Sequence, residues 1–248
     1  VSEYNIYAED LKSNPMKQLT ADGNRKFING TFDWVYEEEF SCRDGFRWNT
    51  DGKSIAFWQI DARKTKDFYM INFTDSVYSQ VVPVEYPKAG EDPSACRIGV
   101  VDISTAKTSW MNIPGDPVQH YIVRLEFIPG SSEFIVQQLN RKQNESKLIR
   151  VNATTGAANI INTESDDAWI EVLTPITGES TYGVDFRHNF DWIVEGKEFL
   201  WPSEKDGWRH LYRVSNHGKK ETLITKGNFH ALAVKLIDEK NGYVYFMA

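Results

Sequence analysis

The 248-residue chain has only two cysteines, Cys42 and Cys96, and no Cys-x-x-Cys spacing. That excludes a disulfide framework and a cysteine-based zinc site, leaving one bridge or two free buried thiols as alternatives. Its five histidines, His120, His188, His210, His217 and His230, show no metal-ligand spacing, so neither a metal nor a cofactor is expected. No run of about 18 apolar residues occurs, so no membrane-spanning helix is expected. Clustered Lys and Arg are missing and the net charge is −7. That balance argues against a nucleic-acid platform, because phosphate binding needs concentrated basic residues. The chain opens on Val1, without Met, a basic segment or an apolar signal region. It is therefore read as a processed or excised piece, from which targeting is not read directly.

What is present is β-like. Hydrophobic residues make up 41% and aromatic residues 13%, enough for one large β domain or two ordinary domains. Short runs rich in β-branched and aromatic residues predict strands at 54–60, 98–102, 134–139 and 242–246. Turn chemistry lies between them, at Asp51-Gly52, Pro129-Gly130, Glu195-Gly196 and Asn241-Gly242. No segment longer than about 12 residues keeps a 3.6-residue apolar period. An aromatic or apolar residue, a glycine turn and an apolar strand recur as a degenerate unit. Trp48 to Phe57, Phe127 to Val136, Trp192 to Trp201 and Leu236 to Phe246 are its four copies. The last turn interval is close to a propeller blade of about 40–50 residues, and the longer intervals predict insertions. The expected fold is all-β, with four-stranded antiparallel blades stacked face to face.

One segment stands apart. In Asp33-Trp34-Val35-Tyr36-Glu37-Glu38-Glu39-Phe40, three successive carboxylates sit between aromatic residues. Aromatic flanks predict that the run is anchored against a core or a cavity wall, with the acidic groups held close together and partly shielded from water. Such a cluster is costly unless a cation completes it. A free peptide amino terminus, an Arg or Lys side chain or a metal ion would serve; otherwise the run is a solvated acidic turn.

This run resembles the double-glutamate segment of the dipeptidyl peptidase IV branch of the prolyl oligopeptidase family. Phe46-Arg47-Trp48-Asn49-Thr50-Asp51-Gly52-Lys53, Val84-Glu85-Tyr86-Pro87-Lys88-Ala89-Gly90, Gly207-Trp208-Arg209-His210-Leu211-Tyr212 and Leu223-Ile224-Thr225-Lys226-Gly227 resemble the same branch, in the same order. The glutamate segment and the YPKAG stretch are the specific ones. The resemblance implies that Glu38 and Glu39 grip the α-ammonium group of a peptide substrate. Neighbouring residues on a helix diverge by about 100°, so both can turn toward one cation, whereas a strand would oppose them. The pair is therefore placed on a short helical insertion, with Glu37 facing an Arg or Lys of the framework. Phe186, followed by Arg187, resembles a Phe-Arg step that lines the extended substrate subsite.

The resemblance makes residues 1–248 a partial propeller of about four to five blades, since the family closes a larger ring. Its exposed edge strands would then be covered by homo-oligomerisation or by closure into an altered ring. The Ser-Asp-His triad is expected downstream, in a C-terminal α/β-hydrolase domain of the same polypeptide. Gly178-Glu179-Ser180-Thr181-Tyr182 lacks the second glycine of a nucleophile turn, and no catalytic residue is assigned within the chain. The implied function is an N-terminal propeller that anchors a substrate's free amino terminus for cleavage after a penultimate Pro or Ala, inactive as an isolated piece. Two alternatives are a prolyl tripeptidyl aminopeptidase and a non-catalytic propeller serving as an interaction scaffold. Members of the family work in the periplasm, outside the cell or attached to a membrane.

Overall fold

The computed structural model describes residues 1–12, 15–172 and 191–248. They form two compact units, Val1–Tyr121 and Ile122–Ala248.

In the first unit, β1 (Tyr7–Glu9) and β2 (Met16–Gln18) form an antiparallel pair. The remaining elements are β3 (Phe27–Asn29), α1 (Trp34–Phe40), β4 (Phe46–Trp48), β5 (Ser54–Asp61), β6 (Asp67–Asn72), β7 (Gln80–Glu85), β8 (Ala95–Asp102) and β9 (Thr108–Trp110). β5 is the central strand, paired along its full length with β8, which in turn pairs with β9. Its other edge is shared: β4 pairs with Ile55–Phe57 and β3 with Gln59–Asp61. The two short strands therefore act as one strand interrupted by residues 30–45. Ile55, Phe57 and Val101 of this sheet pack with Ile6 and Leu19 from the flanking segment. Every residue of β5 from Ile55 to Ile60 is buried, which explains its unbroken apolar run: both faces of the strand are covered.

The second unit holds two four-stranded antiparallel sheets. One contains β10 (His120–Phe127), β11 (Glu133–Asn140), β12 (Glu145–Asn152) and β13 (Ala158–Ser165), in sequence order. The other contains β14 (Asp191–Ile193), β15 (Glu198–Ser203), β16 (His210–Ser215) and β17 (Glu221–Leu223). Burial falls across the first of these, from a nearly wholly buried β10 to a largely exposed β13. Such a gradient is expected of blades whose inner strands are enclosed and whose outer strands meet water. Ile135 and Leu148 of one sheet meet Phe199, Trp201, Tyr212 and Val214 of the other in a common core. Each such side chain contributes roughly 1.5–3 kcal/mol on burial. A last pair, β18 (Ala233–Asp238) with β19 (Tyr243–Met247), packs through Val234 on Leu211 and Ala231.

The predicted strands all form, and the four turn glycines take φ values of +69, +68, +79 and +75° at Gly52, Gly130, Gly196 and Gly242. Four-stranded blades were expected throughout, and here the structure differs. The helix splits one strand of the first blade, making that sheet five-stranded. The insertion between β5 and β8 pairs only with itself, as the hairpin β6–β7. Cys42 and Cys96 are both buried and are not joined in a disulfide. Among the described residues, no helix is long and apolar enough to cross a membrane.

Candidate functional site

The acidic run lies on the excursion that interrupts the first sheet. Its two ends are drawn together at the base: Gly30 N–H donates to Trp58 O at 2.9 Å, Gly45 N–H to Gly30 O at 3.0 Å, and Trp58 N–H to Gly45 O at 3.0 Å. A Cβ on Gly45 would stand 2.8 Å from Gly30 C and Thr31 N, so only glycine fits this closure.

Helix α1 begins at Asp33, whose backbone is extended and whose Oδ1 accepts from Tyr36 N–H at 3.2 Å, an N-cap bond to the third helical residue. Ser41, in a left-handed conformation, ends it, its N–H reaching back to Tyr36 O. Tyr36 stacks on Phe32 at 5.4 Å between ring centres and meets Phe40 and Tyr121 edge-on at 5.7 and 5.9 Å. Residues 32, 36 and 40 thus form one aromatic seam at helical spacing, closed beneath by Trp58 against Phe32. That seam leaves Glu37, Glu38 and Glu39 on the exposed side.

The carboxylates had been expected partly shielded, with Glu37 turned to a framework cation; both expectations are corrected. All three are exposed, and none takes an ion pair or hydrogen bond among the described residues. The reason is local. A seven-residue helix gives its buried face to the aromatic seam, so the residues between Tyr36 and Phe40 must point outward. Glu38 and Glu39 do lie on one short helix, as the divergence argument required.

The support around the helix was not foreseen. Asp33 Oδ2 accepts from Ser94 Oγ at 2.5 Å, and Ser94 Oγ lies 3.4 Å from Thr65 Oγ1. Burial pushes the Asp33 carboxyl up, opposed by the bonds from Ser94 and the Tyr36 N–H. Trp34 lies on Tyr86 at 4.2 Å, and Tyr86 meets Phe68 at 5.7 Å. The two most specific stretches of the sequence, the glutamate run and YPKAG, therefore touch. A partial sequence signal for Asp33 existed, since Asp is a preferred N-cap residue and acidic residues follow it in the first turns. None existed for Ser94. Behind this contact, Arg25 joins Asp67 at 3.0 Å and also pairs with Glu85, while Lys26 joins Asp67 at 2.9 Å.

Other candidates resolve differently. Phe186 lies outside the described residues, as do Ser180 and Arg187. His210 is buried with Nδ1 3.1 Å from Thr225 Oγ1, a packing role inside β16. In the second unit a cavity of about 50 Å³ is lined by Arg124, Gln137, Ser146, Glu164, Trp201 and Ser203, among others. Glu164 accepts from Ser203 Oγ at 2.9 Å and Trp201 Nε1 at 3.2 Å, and burial pushes its carboxyl up. Three serines, Ser146, Ser165 and Ser203, line this space but no described histidine does, so none has the histidine base that activates a serine nucleophile. Among the described residues no group of three His, Cys, Asp or Glu side chains could hold a metal ion.

The chain matches a known family over residues 1–248, described as "Dipeptidyl peptidase IV (DPP IV) N-terminal region". The chain belongs to this family. Its structure resembles the crystal structure of Porphyromonas gingivalis dipeptidyl peptidase 4, with a TM-score of 0.86 at 28% identity, covering 99% of this chain and 33% of that one. It is 26% identical to the "Probable dipeptidyl-aminopeptidase B" of Arthroderma gypseum, over 98% of this chain and 28% of the relative. It is 27% identical to the "Inactive dipeptidyl peptidase 10" of Mus musculus, over 100% of this chain and 31% of the relative. The chain thus spans about a third of the length of these relatives or less. The DPP IV propeller region is therefore the fold and family of this chain, and its relatives include both dipeptidyl peptidases and an inactive member.

Proposed function

We propose that this region anchors the free amino terminus of a peptide in a DPP IV-like serine exopeptidase, with Glu38 and Glu39 taking the substrate's α-ammonium group. A C-terminal α/β-hydrolase domain of the same polypeptide then cleaves after a penultimate Pro or Ala. The observation that carries this reading is helix α1. Its apolar side is locked by Phe32, Tyr36 and Phe40, while adjacent carboxylates project from the other side without a partner among the described residues. An α-amino group has a pKa near 7.7–8.0, so it is mostly cationic at neutral pH. Two carboxylates sharing it make charge-assisted hydrogen bonds, roughly twice as strong as neutral ones. Holding the chain end fixes how many residues reach the catalytic serine. The isolated region supplies this grip and no bond-breaking chemistry.

The test is Glu38→Gln with Glu39→Gln in the full-length polypeptide, assayed on a Gly-Pro anilide. A hydrogen bond to a charged group contributes about 1.5–3 kcal/mol, so kcat/KM falls by about 100-fold or more. Comparing dipeptidyl with tripeptidyl anilides distinguishes release of two residues from release of three. A second reading, a non-catalytic interaction scaffold, is favoured by the 27% identity to a relative named as inactive. On that reading the double substitution leaves partner binding unchanged and the full-length polypeptide turns over no substrate.

The partner set includes a second copy of the chain. Hairpin β6–β7 and its tip expose Tyr69, Ile71, Phe73, Tyr78 and Val81, each at least 64% accessible. An apolar hairpin with open edges is stable in water when another surface covers it. By family resemblance the polypeptide works in the periplasm, outside the cell or attached to a membrane.

A further inference from the structure

Helix α1 has two turns, and isolated helices shorter than about 12–15 residues are marginal in water. Its pose is therefore set by what holds it. The aromatic seam fixes which side faces the core, but stacked rings slide and tilt at small cost. Directional bonds occur at the first turn, where Asp33 divides its two oxygens. Oδ1 takes the Tyr36 N–H of the helix, and Oδ2 takes the Ser94 hydroxyl, which belongs to the segment entering β8. Asp33 and Ser94 are 4% and 2% exposed, so water does not compete for these bonds. Ser94 also sits 3.4 Å from Thr65, at the opposite end of the 62–94 insertion. Trp34 on Tyr86 adds a contact to the same insertion at the rim. The Ser94 end of the insertion thereby meets the first turn of the helix directly, one turn before Glu38 and Glu39, and the Thr65 end reaches it through Ser94.

We propose that Asp33 and Ser94 are positioning residues that set where the glutamate pair presents its carboxylates to the peptide amino terminus. This rests on the reading of Glu38 and Glu39 given above. Loss of the Ser94 hydroxyl frees one oxygen of a buried carboxylate and loosens the first turn. Peptide affinity then drops, while the distant hydrolytic serine is unaffected.

The experiment uses the full-length polypeptide carrying Ser94→Ala, Ser94→Thr or Asp33→Asn. KM and kcat are measured on a Gly-Pro anilide, together with the rate of serine phosphonylation by diisopropyl fluorophosphate, which needs no amino-terminal grip. Ser94→Ala should raise KM about tenfold, with kcat within about twofold, and leave phosphonylation at the unsubstituted rate. Ser94→Thr restores the hydroxyl and should return KM to the starting value. Asp33→Asn keeps both acceptor bonds through its amide oxygen only in part, and should give an intermediate KM. The proposal is overturned if Ser94→Ala leaves KM unchanged, if phosphonylation falls in parallel, or if Ser94→Thr fails to rescue. The Glu38→Gln/Glu39→Gln variant keeps the two claims apart. If it lowers kcat/KM while Ser94→Ala is silent, only the positioning role fails; if it has no effect, the ammonium reading itself is lost.

Discussion

Asp33 buries a carboxylate at the start of a two-turn helix, and its surroundings satisfy the charge without cancelling the cost of desolvation. Burial raises its pKa above the usual carboxylate value, so the folded state binds the proton more tightly than the unfolded chain. Between the unfolded value, about 3.9, and the raised folded value, stability therefore increases as pH falls; above that window the penalty is fully present. Asn is as good an N-cap as Asp, whereas Ala costs roughly 0.5–2 kcal/mol there. Asp33→Asn should thus hold the midpoint of urea unfolding at pH 7 and flatten its dependence on pH in the acid range. Asp33→Ala should lower the midpoint at both pH values. Equal loss in the two variants would mean that the charge, not the cap, holds the helix.

At the scale of elements, two insertions into one blade carry what is distinctive. The first, residues 30–45, depends on its glycine closure. Gly45→Ala pushes a methyl against Gly30 and Thr31 backbone and should cost about 1–3 kcal/mol, read by chemical denaturation; an unchanged midpoint would show that the closure is loose. The second, hairpin β6–β7, presents apolar side chains on an exposed surface. Ile71→Lys with Val81→Lys should convert an oligomer of the full-length polypeptide to monomers in sedimentation, without altering the blades. An unchanged sedimentation coefficient would place the interface elsewhere.

The central strands β5, β11 and β15 were legible because their β-branched and aromatic runs follow turn glycines, Gly52, Gly130 and Gly196, that take positive φ. The hairpin was not. Asp67–Asn72 and Gln80–Glu85 were not among the strands read from the sequence, and most of their residues are exposed. Helix α1 was legible through family resemblance rather than periodicity, since seven residues hold too few turns to show a period. The Asp33–Ser94 bond joins positions 61 residues apart, a relation that neither spacing nor composition encodes.

At the scale of the whole molecule, the chain supplies about a third of its relatives' length or less, and its described part contains blade-like sheets and an acidic helix. Under the function proposed above, labour is divided: recognition of a chain end by fixed charge here, and hydrolysis elsewhere in the polypeptide. Charge recognition has a signature that packing lacks, because acetylating the peptide's amino group removes the cation and leaves the rest of the substrate unchanged. The decisive measurement is the ratio of affinities for a free and an N-acetylated Xaa-Pro peptide, in the full-length polypeptide and in its Glu38→Gln/Glu39→Gln variant. The account predicts a preference of about 100-fold or more for the free amine, which collapses to near unity in the variant. A variant that keeps the full preference would show that some other group holds the ammonium.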